Sequence, residues 1–239
     1  MSDQSVRTER RGAGGEAASN GRSPARTFLQ PIAAPSIVGL FGFAVSTFMV
    51  AANLAGWYGS SSEPVFLFPL AFAFGGIAQF AAGMWSFKAR DAVAAGIHST
   101  WGAFWIGYGI LWYMVARGMV STGRAFDLGL GYWFIGLTAV TFMGAIIIGT
   151  DNIALAFVLH TLWLGAGALA VGLLTATHFW VVIAGYLLIL SAIAAWYSGS
   201  ALMAAGMGKP MFPMGLSRRE REKAEFSAGF GEPGVKRGQ

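Results

Sequence analysis

Residues 153–174 read IALAFVLHTLWLGAGALAVGLL, without one Asp, Glu, Lys or Arg. About 20 residues at about 1.5 Å rise each are enough to cross a hydrocarbon core of about 30 Å. Lipid offers no partner to a bare amide, so a run this long reads as a helix, and the period-two alternation of a barrel strand is absent. Five more runs of the same kind cover residues 38–57, 65–87, 92–116, 130–149 and 180–205, and they too hold no formally charged residue. The reading is an all-α polytopic membrane protein with six transmembrane helices. Composition agrees: 55% of the chain is hydrophobic and 11% charged, against about 25% charged in soluble domains. Of the 34 glycines in 239 residues, 19 lie within the runs, where small residues let helix backbones meet.

The charges between the runs set the orientation. Of the 16 Lys and Arg, fourteen lie in the tail before residue 36, in the second loop (Lys88, Arg90) and in the tail after residue 205. The opposite face has only Arg117 and Arg124, both in the third loop. By the positive-inside rule both termini are cytoplasmic. The net charge of +5 is then a topology signal, and no nucleic-acid partner is implied. Residues 1–33 form a polar tail that reads as disordered and lacks the apolar core of a secretory signal. Residues 34–215 form the membrane domain, and residues 216–239 a second cytoplasmic tail. There is no cysteine, hence no disulfide and no thiolate metal site. Neither a metal-ligand set nor a cofactor is indicated, and the chain does not read as an enzyme.

Function is therefore sought within the spans. His98 and His160 are the only ionisable candidates there, with His178 at a loop; each single histidine reads first as a packing residue. His98, Trp101, Trp105, Tyr108 and Trp112 recur on one helical face. Such a stripe suits either an aromatic packing face or a solute path, and a deep indole N–H needs a partner in either case. Uncharged polar residues at Thr47, Asn53, Gln79, Ser99, Thr100, Thr138, Thr141 and Thr161 suit helix–helix hydrogen bonding or a narrow pore in which amides and hydroxyls replace hydration. Pro31 and Pro35 suit an irregular segment ahead of the first helix.

Four short stretches resemble one family. Ala34-Pro35-Ser36-Ile37-Val38-Gly39-Leu40-Phe41-Gly42-Phe43 is similar to the first-helix signature of the acetate uptake (succinate–acetate, YaaH-type) transporters, Asn-Pro-Ala-Pro-Leu-Gly-Leu, one variable residue, Gly-Phe. Gly75-Gly76-Ile77-Ala78-Gln79 followed by Gly83 resembles the second-helix run of that family, and Trp101-Gly102-Ala103-Phe104-Trp105 its Tyr-Gly-Ser-Phe-Trp. Phe212-Pro213-Met214-Gly215 resembles its closing Leu-Pro-Ile-Gly. The chain is identified as a divergent member.

The resemblance implies six helices per subunit, a homo-hexamer in the plasma membrane, and a separate path through each subunit for acetate and other small monocarboxylates, with succinate in some members. It implies a constriction at Phe43, Trp101 and Leu162, with Gln79 as a polar site beside it. Pro35, Gly39, Leu40 and Gly42 carry the signature, and Thr47, Asn53 and Thr100 are further polar candidates along the path. Departures from the pattern are Ala34 for Asn, Ile37 for the second Pro, Trp101 for Tyr and Ser86 for an acidic residue; they bear on the substrate more than on the fold. Other readings are a channel for a neutral solute such as ammonia, urea or an amide, a haem held between His98 and His160, and a sensor or assembly partner acting through its tails.

Overall fold

The computed structural model describes residues 32–59 and 68–217. Those residues are helical apart from turns, short connections and one isolated bridge. Helix α1 is Ser36–Leu54, α2 is Phe68–Lys88, α3 is Ala92–Ala116, α4 is Arg124–Ile148, α5 is Ile153–Thr175 and α6 is His178–Gly206. Five of the six are long and apolar enough to cross a membrane; α3 is not among them. It has the length, 25 residues, but His98, Ser99, Thr100 and its indole and phenol groups dilute the aliphatic content. The chain is an all-helical, multi-pass membrane protein.

Most boundaries fall within two or three residues of the sequence reading, and the departures have local causes. Pro35 adopts a helical φ of −61° and starts α1 at Ser36, because proline preorganises the first turn without needing a donor. Helix α4 begins six residues earlier than expected and so takes in Arg124 and Asp127. The Arg124 guanidinium donates to the carbonyls of Leu173 (2.6 Å) and Leu174, closing the last turn of α5, so this charge tethers two helix ends. His178, read as a loop residue, opens α6. Asp91 and Asn152 cap α3 and α5 by accepting from the amides of Ala94 (2.9 Å) and Leu155 (3.1 Å), bonds worth about 0.5–2 kcal/mol each.

Consecutive helices pack on one another and α6 returns to α1, so the bundle is a ring in chain order. Short connections make neighbours antiparallel, and the N-termini of α1, α3 and α5 gather at one end. Helices α3 and α4 approach each other least. Side chains close that seam: Trp101 Nε1 donates to Thr141 Oγ1 at 3.0 Å, and Phe104 meets Phe134 edge-on with ring centroids 5.4 Å apart. Outward faces carry large apolar residues such as Tyr132, Trp133, Ile146 and Ile193, as lipid requires.

The two tails, residues 1–33 and 216–239, lie outside the described residues except for 32–33 and 216–217. Leu216 and Asn152 form an antiparallel bridge, and Ile153 and Ala154 donate to the carbonyls of Gly215 (3.3 Å) and Met214 (3.1 Å). The segment after α6 thereby satisfies amides that begin α5 and would otherwise be orphaned.

Candidate solute path

A cavity of about 650 Å³ opens at the end of the ring where α1, α3 and α5 begin. Its mouth is lined by Pro35, Arg90, Asp91, Asp151 and Asn152, its walls mostly by Val93, Ile97, Leu155, Leu159 and Leu202. Arg90 is exposed and sits at a φ of +58° in the turn between α2 and α3, a conformation that L-residues other than Asn and Asp adopt rarely. The gathered helix N-termini add partial positive charge to this mouth, and Asp91 and Asp151 partly offset it.

The cavity reaches inward to Phe43, Gln79, His98 and Leu162. Phe43 and Leu162 are 3% and 1% exposed, and Trp101, at 2%, meets Phe43 edge-on with centroids 6.1 Å apart. A second, much smaller cavity of about 30 Å³ begins beyond Trp101, lined by Thr47, Val50, Leu54, Trp105, Tyr108 and Leu169 among others. That volume holds about one or two waters. Phe43 and Leu162 thus line the large cavity and Trp101 the small one, and the ring contact of Phe43 with Trp101 lies between them. Of the three residues expected at a constriction, Phe43 and Trp101 are in ring contact, and Leu162 lines the large cavity with Phe43.

Polar atoms without partners line both cavities. Gln79 is 1% exposed, and its Oε1 has no hydrogen-bond partner; nor do His98 Nδ1, Thr47 Oγ1 and the Trp105 Nε1 donor. An unpaired buried polar group costs about 1–3 kcal/mol, so a cluster of them beside two cavities suits occupants that hydrogen-bond. By contrast, the indole of Trp101 is satisfied by Thr141, whose hydroxyl in turn donates to the Leu137 carbonyl at 2.7 Å.

The signature glycines have a steric reason. A Cβ on Gly39 would lie 2.6 Å from three atoms of the His98 ring. A Cβ on Gly42 would lie 2.5 Å from the Phe74 carbonyl oxygen and 3.5 Å from Gln79 Cβ. Helix α2 is wound as a π-helix over Ala71–Ala78, a form found mostly as short insertions at functional sites, and it ends at Gln79. The first-helix signature therefore seats two other helices, at the two positions where polar side chains enter the cavity.

Comparison with known proteins gives the family. Residues 17–212 match the GPR1/FUN34/yaaH family. The chain belongs to that family. It is similar to acetate permease A of Emericella nidulans, 27% identical over 80% of this chain and 71% of the relative. It is also similar to the succinate-acetate/proton symporter SatP of Escherichia coli, 25% identical over 78% of this chain and 97% of the relative. A solved structure of the bacterial acetate channel SatP superposes with a TM-score of 0.70 at 20% identity, covering 77% of this chain and 99% of that one. The fold is accordingly that of the GPR1/FUN34/yaaH proteins.

Other residues singled out in the sequence have diverse surroundings. Asn53 is half-buried and donates from Nδ2 to the Tyr58 carbonyl at 2.9 Å, tying the turn after α1; it lines neither cavity. Thr100 is half-buried and lines neither cavity. Ser86, where the GPR1/FUN34/yaaH pattern often has an acid, is fully buried and donates to the Ala82 carbonyl at 2.9 Å. His160 is exposed on the outer face and accepts from Trp163 Nε1 at 3.1 Å, whereas His98 faces inward; the pair encloses no common site.

Phe104 was not a sequence candidate for the path. It contacts Trp101, Trp105, Tyr108 and Phe134 with centroids 5.0–5.4 Å apart, and it is the hub of the aromatic wall. Its place three residues after Trp101 and four before Tyr108 was the available signal.

Proposed function

We propose that the chain conducts acetate and other small monocarboxylic acids across the plasma membrane, through a path in each protomer. The carrying observation is the cavity of about 650 Å³ that stops at Phe43 and Leu162 and resumes past Trp101 as one of about 30 Å³. The names of the relatives, a permease, a symporter and a channel for acetate, support the same reading. The mouth sets Arg90 and three helix N-termini against the carboxylates of Asp91 and Asp151. The side chains of Phe43, Trp101 and Leu162 offer no hydrogen bond, and a bare carboxylate pays heavily to leave water there. A proton taken up with the anion removes most of that cost, so proton-linked passage needs no buried acid.

The finer topology belongs to the same proposal: α3 is the sixth crossing, both tails are cytoplasmic, and the subunits form a hexamer embedded in lipid. An aromatic-rich helix crosses without difficulty when its polar face lines the path rather than meeting acyl chains. The test is uptake of labelled acetate into proteoliposomes as external pH falls from 7 to 5, with a short panel of monocarboxylates and succinate. Uptake above protein-free vesicles is expected; equal uptake across the panel overturns the proposal. The unpartnered Gln79 Oε1 also favours a second reading, a neutral amide as cargo. Acetamide that is taken up while acetate is not selects it.

A further inference from the structure

We propose that Gln79 and His98 together form a subsite for the undissociated carboxyl group, immediately above the constriction. The proposal rests on acid passage as read above and adds the group that makes the selection. Both side chains line the large cavity, at 1% and 5% exposure, and each presents a buried atom without a partner, Gln79 Oε1 and His98 Nδ1. Their mutual placement follows from α1. The His98 ring abuts Gly39 and the Gln79 stem abuts Gly42; positions three apart on a helix lie about 5–6 Å from one another. Two polar side chains from α2 and α3 are thus held against adjacent turns of α1, at the depth of Phe43.

Their chemistry satisfies an acid more fully than its anion: the Gln79 amide N–H and the imidazole N–H donate to either form, but only the acid donates to Gln79 Oε1. A carboxylic acid presents one donor and one acceptor, whereas a carboxylate presents acceptors only. The acid O–H donates to Gln79 Oε1, and an imidazole N–H donates to the acid carbonyl. A carboxylate leaves Gln79 Oε1 unpaired, so the pair discriminates against it. The charged groups lining the same cavity, Arg90, Asp91 and Asp151, lie on the turns at its mouth. His98 is seven residues into α3 from Asp91, about 10 Å along the axis. The subsite holds the acid formed from the anion with a proton from bulk water.

The test compares wild type with His98→Phe and His98→Gln in proteoliposomes, reading acetate influx against concentration and its inhibition by acetamide, a neutral molecule with the same donor–acceptor pair. His98→Phe is expected to raise the half-saturating acetate concentration about tenfold, the equivalent of one lost hydrogen bond, with similar maximal rate and weaker acetamide inhibition. His98→Gln, which keeps a donor, is expected to recover most of the loss. An unchanged half-saturation in His98→Phe overturns the subsite while leaving acid passage intact. Equal loss of maximal rate in both variants also overturns it, since that marks a packing role alone. If the wild type moves no acetate, the passage reading falls. The subsite is then decided by saturation-transfer NMR of acetamide with detergent-solubilised protein: transfer lost in His98→Phe upholds it, and transfer absent from wild type or equal in both overturns it.

Discussion

Helices α3 and α6 are both long, and they solve the problem of polar atoms in a membrane in opposite ways. Helix α6 buries small and aliphatic residues, among them Ala184, Gly185, Ala192 and Ala195, against α1 and α5. Its Ser191 donates to the Val158 carbonyl of α5 at 2.9 Å, and Ser198 is its one unpartnered buried polar side chain among the described residues. Among the described residues, helix α3 has four of the eight unpartnered buried side-chain atoms, on His98, Ser99, Trp105 and Trp112. It also packs loosely on α4. A helix serving only as scaffold spends its polar groups on neighbours; α3 leaves His98 at the large cavity and Trp105 at the small one. The difference marks α6 as wall and α3 as lining.

Trp101→Ala is the change expected to break this contrast most. It removes the ring that separates the two cavities and deletes the bond to Thr141. Influx of acids larger than acetate is expected to rise about tenfold or more relative to acetate, since a tenfold change needs only about 1.4 kcal/mol of barrier. Stability is expected to fall by about 3–5 kcal/mol, as for other buried large aromatic truncations. A size-graded acid panel and a thermal melt in detergent check both. Phe43→Ala is expected to act in the same direction from α1, and unchanged selectivity in both variants dissolves the constriction. Next in size is Gln79→Leu, which keeps volume but removes the amide; acetate influx is expected to fall about tenfold with the melting temperature kept.

How far these features were legible in the sequence divides along the same line. Runs without charge announced the helices, because lipid leaves the backbone no alternative. The stripe on α3 was visible from spacing, and its burial follows from it. Pairing across helices was not visible: nothing in the spacing of Trp101 specifies Thr141, forty residues on, as its acceptor. Gly39 and Gly42 could be matched to a pattern, but their use, to admit the His98 ring and the Phe74 carbonyl, depends on how α1 crosses α2 and α3. His98 read as a packing residue because a lone histidine usually is one; only the cavity and the free Nδ1 give it another role. The π-helical stretch before Gln79 leaves no residue pattern that distinguishes it from an ordinary turn.

Thr141→Val probes the seam itself. The side chain keeps its shape, but the Trp101 indole loses its acceptor within a buried contact. A cost of about 1–3 kcal/mol is expected, together with a loosened indole. Acetate influx is expected to change only about twofold, well under the tenfold that 1.4 kcal/mol would give. Thermal unfolding and a time-resolved fluorescence anisotropy measurement of the indoles decide it. Rigid fluorescence with unchanged stability removes Thr141 from the account of the constriction.

Ser191→Ala on α6 is the control that gives the contrast its meaning. Its hydroxyl donates to Val158, a carbonyl already engaged in the α5 ladder, so deletion leaves no bare amide and only a methyl-sized loss of contact. Interhelical bonds of this kind average about 0.6 kcal/mol in membranes, and a destabilisation of that order is expected with no change in acid selectivity. Val158 also lines the large cavity, which makes the prediction a demanding one. If removing the hydroxyl behind it alters half-saturation as His98→Phe does, then α5 and α6 shape the path as much as α3, and the division into lining and wall has been drawn at the wrong helices.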